Sequence, residues 1–268
     1  MITFFTIPKP FEGHIGVIQR NALRSWLHVA PGVQVIAIGE APEDIAVEHV
    51  ADVARNEHGT PLLDDAFRIA NEHARHDVLC FSNADILLPQ SLARAVEITQ
   101  GSHERFLVVG ECWSARVETD VAPESIPWQL HGAKRGADAI DYFVYSRGLY
   151  SDLPSFAIGR TVFDNWLVWR ARSAGATVVD ATTSVRALHQ DHSYAHVGTL
   201  GGIRVGPEAV ENRRLSGGGR ERLFSRFDAT HRLVGDRLLP NPLGVAHLGE
   251  TVRRAWAKLG YSTGLRRA

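Results

Sequence analysis

The chain has 268 residues, of which 44% are hydrophobic, 22% charged and 8% aromatic. Its 29 Lys and Arg residues nearly balance 30 Asp and Glu, so the formal net charge is −1. This is ordinary globular composition, and with two cysteines it excludes intrinsic disorder, a collagen-like repeat and a disulfide scaffold.

Apolar strand patterns alternate with helical patterns through the first half of the chain. Strands are predicted at residues 2–7, 33–38, 78–82 and 106–110, with a weaker segment at 46–53. Helices are predicted at residues 15–29, 60–76 and 89–98, the second with Thr60 as its cap and Pro61 at its first position. This alternation is typical of parallel sheets buried on both faces, so we predict an α/β fold with a mostly parallel central sheet flanked by helices.

The second half of the chain is less regular. Residues 114–140 contain few periodic apolar positions and are predicted to form a long surface excursion. A strand is predicted at 140–145, a helix at 161–173 and a further strand at 176–180. After His196 the sequence becomes rich in glycine, which indicates irregular structure.

The carboxyl-terminal part differs from the rest in charge. Residues 210–268 contain 12 Lys and Arg against 5 Asp and Glu, and residues 248–265 place an apolar stripe opposite a basic face. We predict a main domain at 1–205 and a basic, mostly helical extension at 206–268. The extension suits either an anionic membrane surface or docking on the body or on a second subunit of a homodimer. The acidic body and the lack of aromatic residues among the arginines oppose nucleic-acid binding.

The cysteines and the first residues of the chain indicate in which cellular compartment the protein is expected. Cys80 and Cys112 lie in apolar runs and are predicted to be buried thiols, which suits a reducing compartment. The start of the chain lacks a basic leader, and no stretch approaches the ~18 apolar residues of a membrane span. We therefore expect a cytoplasmic protein, with peripheral contact to the inner membrane face as the alternative.

The most informative stretch runs from Asn56 to Asp85 and ends in Asn83-Ala84-Asp85, directly after a predicted buried strand. It resembles the signature region of GT-A fold nucleotide-sugar glycosyltransferases, especially the family 2 group, in which such a strand ends in Asp-x-Asp. The matching positions are Asn56, Gly59, Ala66, Asn71, Ala74 and Asp77. The resemblance implies a GT-A-like (Rossmann-like) catalytic domain at 1–205, although the first acid of the family pair is Asn83 here.

Asp85 is expected to face the ligand crevice, because ligands of open parallel sheets bind beyond the carboxyl ends of the strands. A carboxylate there suits a divalent cation that neutralises a diphosphate leaving group. The resemblance implies Mn²⁺ or Mg²⁺, with Asn83, Ala84 and Asp85 at the donor. The alternative is an acid that only caps the following turn.

A second constellation covers residues 159–167. Thr161 is predicted to cap a helix, and Asp164 falls in its first turn, where a carboxylate is favoured. The position of Asp164 resembles that of the acidic residue that opens the acceptor-side helix of GT-A enzymes and acts as general base in inverting members. Arg160 could hold a phosphate or a carboxylate of either substrate, and Arg160 and Asn165 are predicted on the acceptor side. The alternative is a capping box between Thr161 and Asp164 with no further role.

Three histidines, His189, His192 and His196, lie within eight residues. Their spacing matches no tight zinc pattern. Late histidines in several GT-A enzymes complete the metal shell, so the resemblance gives that role first to His192 and then to His189. The alternative for each is a packed or solvated loop histidine.

Donor contacts are also predicted beyond the first strand and before the second helix. The resemblance implies that Thr6, Pro8 and their neighbours contact the nucleotide, with Arg55 beside them. The leading function is transfer of a sugar from a nucleoside-diphosphate sugar to a hydroxyl acceptor on a glycan, lipid or small molecule. The alternatives are a metal-dependent hydrolase, a nucleotidyltransferase, or a non-catalytic sugar-nucleotide-binding module.

Overall fold

A computed structural model describes residues 1–126, 128, 132–137, 139–192 and 205–241. The strands are β1 (Thr3–Thr6), β2 (Gln34–Ile38), β3 (Glu48–Val50), β4 (Val78–Ser82), β5 (Ile86–Leu87), β6 (Phe106–Val109), β7 (Trp113–Ala115), β8 (Tyr142–Ser146), β9 (Thr177–Asp180), β10 (Leu188–Gln190), β11 (His231–Val234) and β12 (Arg237–Pro240). The helices are α1 (Gly13–Leu27), α2 (Leu63–His73), α3 (Ser91–Gln100), α4 (Phe163–Ser173) and α5 (Pro207–Leu215).

A nine-stranded sheet forms the centre of the fold, in the order β12-β11-β9-β6-β8-β4-β1-β2-β3. Five of its eight neighbouring pairs are parallel, and β8 lies antiparallel between β4 and β6. Every residue of β2 and β4 is buried, as expected for apolar runs covered on both faces. The predicted α/β fold with a mostly parallel central sheet is confirmed.

Two hydrophobic cores cover the two faces of this sheet. Helices α2 and α4 pack on one face, where Phe67 of α2 contacts Phe81 of β4 with ring centroids 5.5 Å apart. Helices α1 and α3 pack on the other face, where Trp26 stacks on Phe4 at 5.8 Å. The sheet is therefore rigidly held on both sides, and its carboxyl edge is a fixed frame for side chains.

A second, three-stranded sheet in the order β5-β10-β7 lies beside the carboxyl end of β4. Its register places His189 opposite Ile86 on one side and Ser114 on the other. The sequence analysis did not predict this sheet, because strands of two or three residues leave no readable alternation. Through this sheet Ile86, the residue after Asp85, pairs directly with His189.

All four predicted helix starts differ from the observed ones by two or three residues, and the two predicted capping residues, Thr60 and Thr161, are wrong. Helix α2 begins at Leu63 rather than at Thr60, because Pro61 pairs with Arg55 in an isolated antiparallel bridge. Helix α4 begins at Phe163, and no side chain caps it. Val162 precedes it in the left-handed region at φ 82°, so Thr161 lies outside the helix and neither caps it nor forms a capping box.

The segment predicted as a surface excursion at 114–140 is partly buried. Ala115, Val117 and Ile126 form a small third core with Leu87 and Leu188 of the three-stranded sheet. The apolar residues of this segment are few and interrupted by prolines, so the sequence shows neither helical nor strand periodicity, although their side chains do pack. Both thiols are buried and free, as predicted.

The hairpin β11–β12 extends the central sheet, since β11 pairs in parallel with β9. The sequence analysis did not predict it. The stripe at residues 248–265 lies outside the described residues, and the boundary at 205/206 stays a prediction. Within the described ranges, no helix is both long and apolar enough to cross a membrane.

Trp26 provides a test of how the fold holds β5. Its indole Nε1 donates to the carbonyl of Ile86 at 2.8 Å, and the side chain is fully buried. We expect Trp26→Phe to lower the free energy of unfolding by about 1–3 kcal/mol, because it leaves a buried carbonyl unsatisfied. Urea unfolding measures this. Trp169→Phe, at a half-buried tryptophan of α4, is the control, and equal losses in the two variants would contradict the account.

Candidate functional site

Asp85 lies three residues beyond β4, in a turn closed by the hydrogen bond from Ile86 N to Asn83 O (3.2 Å). Strand β4 is the sixth of nine in the sheet, between β8 and β1. The Asp85 side chain is 18% exposed, so its carboxylate lies at the rim of the protein and not in bulk solvent. Its position beyond a central strand is the place where open α/β sheets bind ligands.

Two histidines converge on this carboxylate. His192 Nε2 lies 2.9 Å and His189 Nε2 3.3 Å from the same oxygen, Asp85 Oδ2. The imidazole rings stack with centroids 5.6 Å apart, and each side chain is 6% exposed. One ligand atom from each residue lies within 4.8 Å of the other two. The structure thus brings together the three residues predicted as metal ligands.

The charges of Asp85 and His189 support one another. Burial disfavours the ionised form of Asp85, but the charge and hydrogen bonds of His189 and His192 outweigh it and hold the pKa of Asp85 well below its usual range. Burial likewise opposes the protonated form of His189, yet the charge of Asp85 and the hydrogen bond to it raise the pKa of that imidazole. Asp85 is therefore a carboxylate at neutral pH.

A buried glutamine fixes the backbone at Asp85. Gln190 is fully buried, and both its backbone N (3.0 Å) and its Nε2 (3.2 Å) donate to the carbonyl of Asp85. Gln190 Nε2 also donates to Ile18 O of α1 at 2.7 Å, and its Oε1 accepts from Asn21 Nδ2 at 3.2 Å. The sequence alone does not mark Gln190, because its partners in α1 are 172 and 169 positions away.

Asp85 Oδ1 is buried and has no hydrogen-bond partner among the described residues, so it is an oxygen that a cation could bind. One carboxylate and two imidazoles form a mixed oxygen and nitrogen donor set. Such a set fits a first-row divalent ion such as Mn²⁺ better than Mg²⁺, which prefers oxygen ligands and water.

Asn83 lies apart from this cluster. Its Nδ2 donates to Asp141 Oδ1 at 3.1 Å, and its backbone N donates to Asp141 O at the same distance. Asp141 also pairs with Arg135 at 3.3 Å, which the sequence analysis did not foresee. Ala84 lies in the turn between Asn83 and Asp85. The predicted donor contacts of Asn83 and Ala84 stay predictions.

The residues after β1 lie at the same edge of the sheet as Asp85, because β1 pairs in parallel with β4. Thr6 and Pro8 are buried, and the Lys9 backbone is held by Gln19 of α1 through two hydrogen bonds of 2.7 and 2.8 Å. Burial lowers the pKa of the Lys9 ammonium, the charge of Asp85 raises it and that of Arg160 lowers it further. Lys9 is thus electrostatically coupled to both Asp85 and Arg160.

The other residues predicted to contact a substrate, Arg55, Arg160 and Asn165, make hydrogen bonds or ion pairs with other residues of the protein. Arg55 is exposed on the loop before α2, where its Nη1 donates to Gly59 O at 2.8 Å. Arg160 pairs with Glu208 of α5, and Asn165 Nδ2 donates to Phe224 O at 2.8 Å. The roles predicted for these residues at a donor or acceptor stay predictions.

Asp164 lies in the first turn of α4 and is half-buried. Its neighbour Phe163 packs edge-on against Phe81 of β4, with ring centroids 6.3 Å apart. The start of α4 is therefore fixed against the strand that leads to Asp85. The role of Asp164 as a base stays a prediction.

No protein-family model matches the sequence, and no curated protein matches it. Solved structures do match it. TarS from S. aureus in complex with UDP-GlcNAc is 13% identical, with a TM-score of 0.47 over 80% of this chain and 65% of that one. The mannosyltransferase PcManGT from Pyrobaculum calidifontis in complex with GDP-Man and Mn²⁺ is 12% identical, with a TM-score of 0.43 over 72% and 57%.

Glucosyl-3-phosphoglycerate synthase from Mycobacterium tuberculosis in complex with Mg²⁺ and UDP is 14% identical, with a TM-score of 0.44 over 75% of each chain. The chain is similar to GT-A glycosyltransferases. It spans less than two thirds of the TarS and PcManGT chains. At these identities the likeness concerns the fold alone.

Manganese binding tests the cluster directly. We expect Mn²⁺ to bind at one site per chain and Asp85→Asn to weaken binding more than about tenfold, since losing even an outer-shell partner typically costs 10–100-fold. Calorimetric titration measures the dissociation constant. Asp191→Asn is the matched control, because Asp191 is exposed and adjacent to His192 in sequence. Equal affinities of the Asp85→Asn variant and the unmodified protein would rule out Asp85 as a ligand.

Proposed function

We propose that the protein is a metal-assisted glycosyltransferase that moves a sugar from a nucleoside-diphosphate sugar to a hydroxyl acceptor. The observation that carries the proposal is the convergence of His189 and His192 on the ionised carboxylate of Asp85, beyond a central strand. The coupling of the Lys9 ammonium to that carboxylate adds a cation at the same edge. A cation site beside a lysine suits a diphosphate.

In the proposed reaction, Asp85, His189 and His192 would hold a divalent cation, and their mixed oxygen and nitrogen donors favour a first-row ion such as Mn²⁺ over Mg²⁺. When bound, the cation neutralises charge that develops on the leaving diphosphate. The acceptor oxygen forms a bond to the sugar C1 as the bond from C1 to the diphosphate oxygen breaks. Asp164 takes the hydroxyl proton if the reaction inverts the anomeric centre, and orients the acceptor if it retains configuration.

The residues after β1 oppose nucleotidyl transfer. Triphosphate sites are typically glycine-rich loops, whereas Ile7-Pro8-Lys9-Pro10 follows β1 here and the next glycine is Gly13. A backbone stiffened by two prolines leaves few amide donors for a triphosphate. The lysine coupled to Asp85 instead suits a diphosphate leaving group.

A metal-dependent hydrolase is the second candidate, because a carboxylate with two imidazoles is also a donor set of catalytic zinc. The two functions differ in metal retention. A hydrolase of this kind would keep zinc through dialysis, whereas we expect the transferase to bind Mn²⁺ reversibly. Metal analysis after dialysis separates them.

A thermal-shift panel of UDP-, GDP-, ADP-, TDP- and CMP-sugars, with and without Mn²⁺, tests the proposed function. Ligands that bind the native state raise the melting temperature, and we expect one nucleotide class to do so more strongly with Mn²⁺. Release of the nucleoside diphosphate is then measured with that donor. Absence of any shift across the panel would contradict the proposal.

Asp164→Asn tests the chemistry with the same donor. We expect sugar transfer to fall about 10²–10⁴-fold, the usual range for loss of a general base, while the nucleotide-induced thermal shift is unchanged. Asp152→Asn is the control, since Asp152 is a largely exposed carboxylate that pairs with Arg170 of α4, the helix that carries Asp164. Transfer at the unmodified rate in the Asp164→Asn variant would remove Asp164 from the mechanism.

A further inference from the structure

Helix α5 binds the loop that leads into α4. Asn212 is fully buried, and its Oδ1 accepts from Ala157 N at 2.9 Å. Its Nδ2 donates to Ala157 O at 3.0 Å and to Thr161 O at 3.3 Å. One side chain of α5 therefore fixes both ends of the loop on which Arg160 lies.

Glu208, one turn earlier on α5, binds Arg160 itself. Its Oε2 accepts from Arg160 Nη2 at 2.5 Å and from Nε at 2.8 Å. Its Oε1 accepts from Asn56 Nδ2 at 2.7 Å, and the Thr60 side chain also hydrogen-bonds to the carboxylate. Burial works against the charge of Glu208, but these bonds and Arg160 outweigh it and lower the pKa of the carboxyl group.

This pairing leaves one edge of the guanidinium for a ligand. Glu208 occupies the edge formed by Nε and Nη2, whereas Nη1 has a long contact of 3.4 Å with Gly159 O. Arginine carries five donors in a planar fork, so a carboxylate on one edge orients the other. The Arg160 side chain is 18% exposed, which leaves it partly open to solvent.

Arg160 lies three residues before Phe163, whose ring packs edge-on against Phe81 near the carboxyl end of β4. The loop of Arg160 is therefore at the edge of the sheet beyond which Asp85 lies. Lys9 and Arg160 are electrostatically coupled to each other, and Lys9 is coupled to Asp85. Two cations and the proposed metal ligand Asp85 at one edge of the sheet suit a ligand with more than one negative charge. A diphosphate has that charge, whereas a neutral hydroxyl acceptor has none.

We infer that Glu208 is a positioning residue that holds Arg160 toward the diphosphate of the donor. The inference rests on the proposed function and moves Arg160 from the predicted acceptor side to the donor side. Glu208 contacts neither the donor nor the acceptor; it fixes the direction of the fork. Its partner is 48 positions distant in sequence, which is why the sequence analysis did not find it.

Paired affinities for a nucleoside diphosphate and the matching monophosphate test the inference. The probe is the diphosphate that gives the largest thermal shift of the unmodified protein, titrated calorimetrically with Mn²⁺ present. We expect Glu208→Gln to weaken diphosphate binding about tenfold and monophosphate binding less than about twofold, since one charge-assisted contact is misdirected. Glu211→Gln is the control, because Glu211 is on the same helix, pairs with Arg214 and is half-exposed.

The double variant distinguishes positioning from a general structural effect. In an Arg160→Ala background, Glu208→Gln should change diphosphate affinity by less than about twofold, because it acts through Arg160. Arg160→Lys keeps the charge but loses the planar guanidinium, so it should also weaken diphosphate binding; it replaces Glu208→Gln if that variant does not fold.

Equal losses of affinity for diphosphate and monophosphate, or fully additive effects of Glu208→Gln and Arg160→Ala, would overturn the inference while leaving the proposed function intact. If the unmodified protein binds no diphosphate, both fail.

Discussion

The carbonyl of Asp85 accepts two hydrogen bonds from Gln190, one from the backbone and one from the side chain. The same side chain binds α1 through Ile18 and Asn21, and Trp26 of that helix holds the next carbonyl, that of Ile86. The turn after β4 is therefore fixed by the strand before it, by β10 and by α1. Because the histidines lie on and just after β10, one set of bonds sets both the carboxylate and its partners. A pre-organised cluster of this kind loses little entropy when a cation binds.

The sequence predicted the central sheet because long apolar strands separated by helical periods leave few alternatives. It also named Asp85, His189 and His192 as candidate metal ligands, since carboxylate and imidazole chemistry is visible one residue at a time, and that role stays a prediction. It did not predict the three-stranded sheet that joins them, whose strands are too short to show a period. The start of α4 was misplaced because Val162 adopts a left-handed conformation that its residue type disfavours.

Contacts between distant segments were the second kind of feature that the sequence could not supply. Glu208 binds Asn56 at a separation of 152 positions and Arg160 at 48, and nothing in the local pattern marks it. Together these bonds connect the loop before α2, the loop before α4 and α5. Lys9, after β1, is electrostatically coupled to Arg160 and to Asp85. In the proposed function, a diphosphate would bind among these residues, beside the cation held by Asp85 and its histidines.

The most direct test of the account is the position of a bound metal ion in a crystal of the protein grown with Mn²⁺ and a nucleoside diphosphate. Anomalous scattering at the manganese edge locates the ion independently of any assumption about its ligands. The account predicts one strong peak within coordination distance of Asp85, His189 and His192, with the diphosphate between it and Arg160. A peak elsewhere, or a diphosphate bound with no manganese at these three residues, would contradict it.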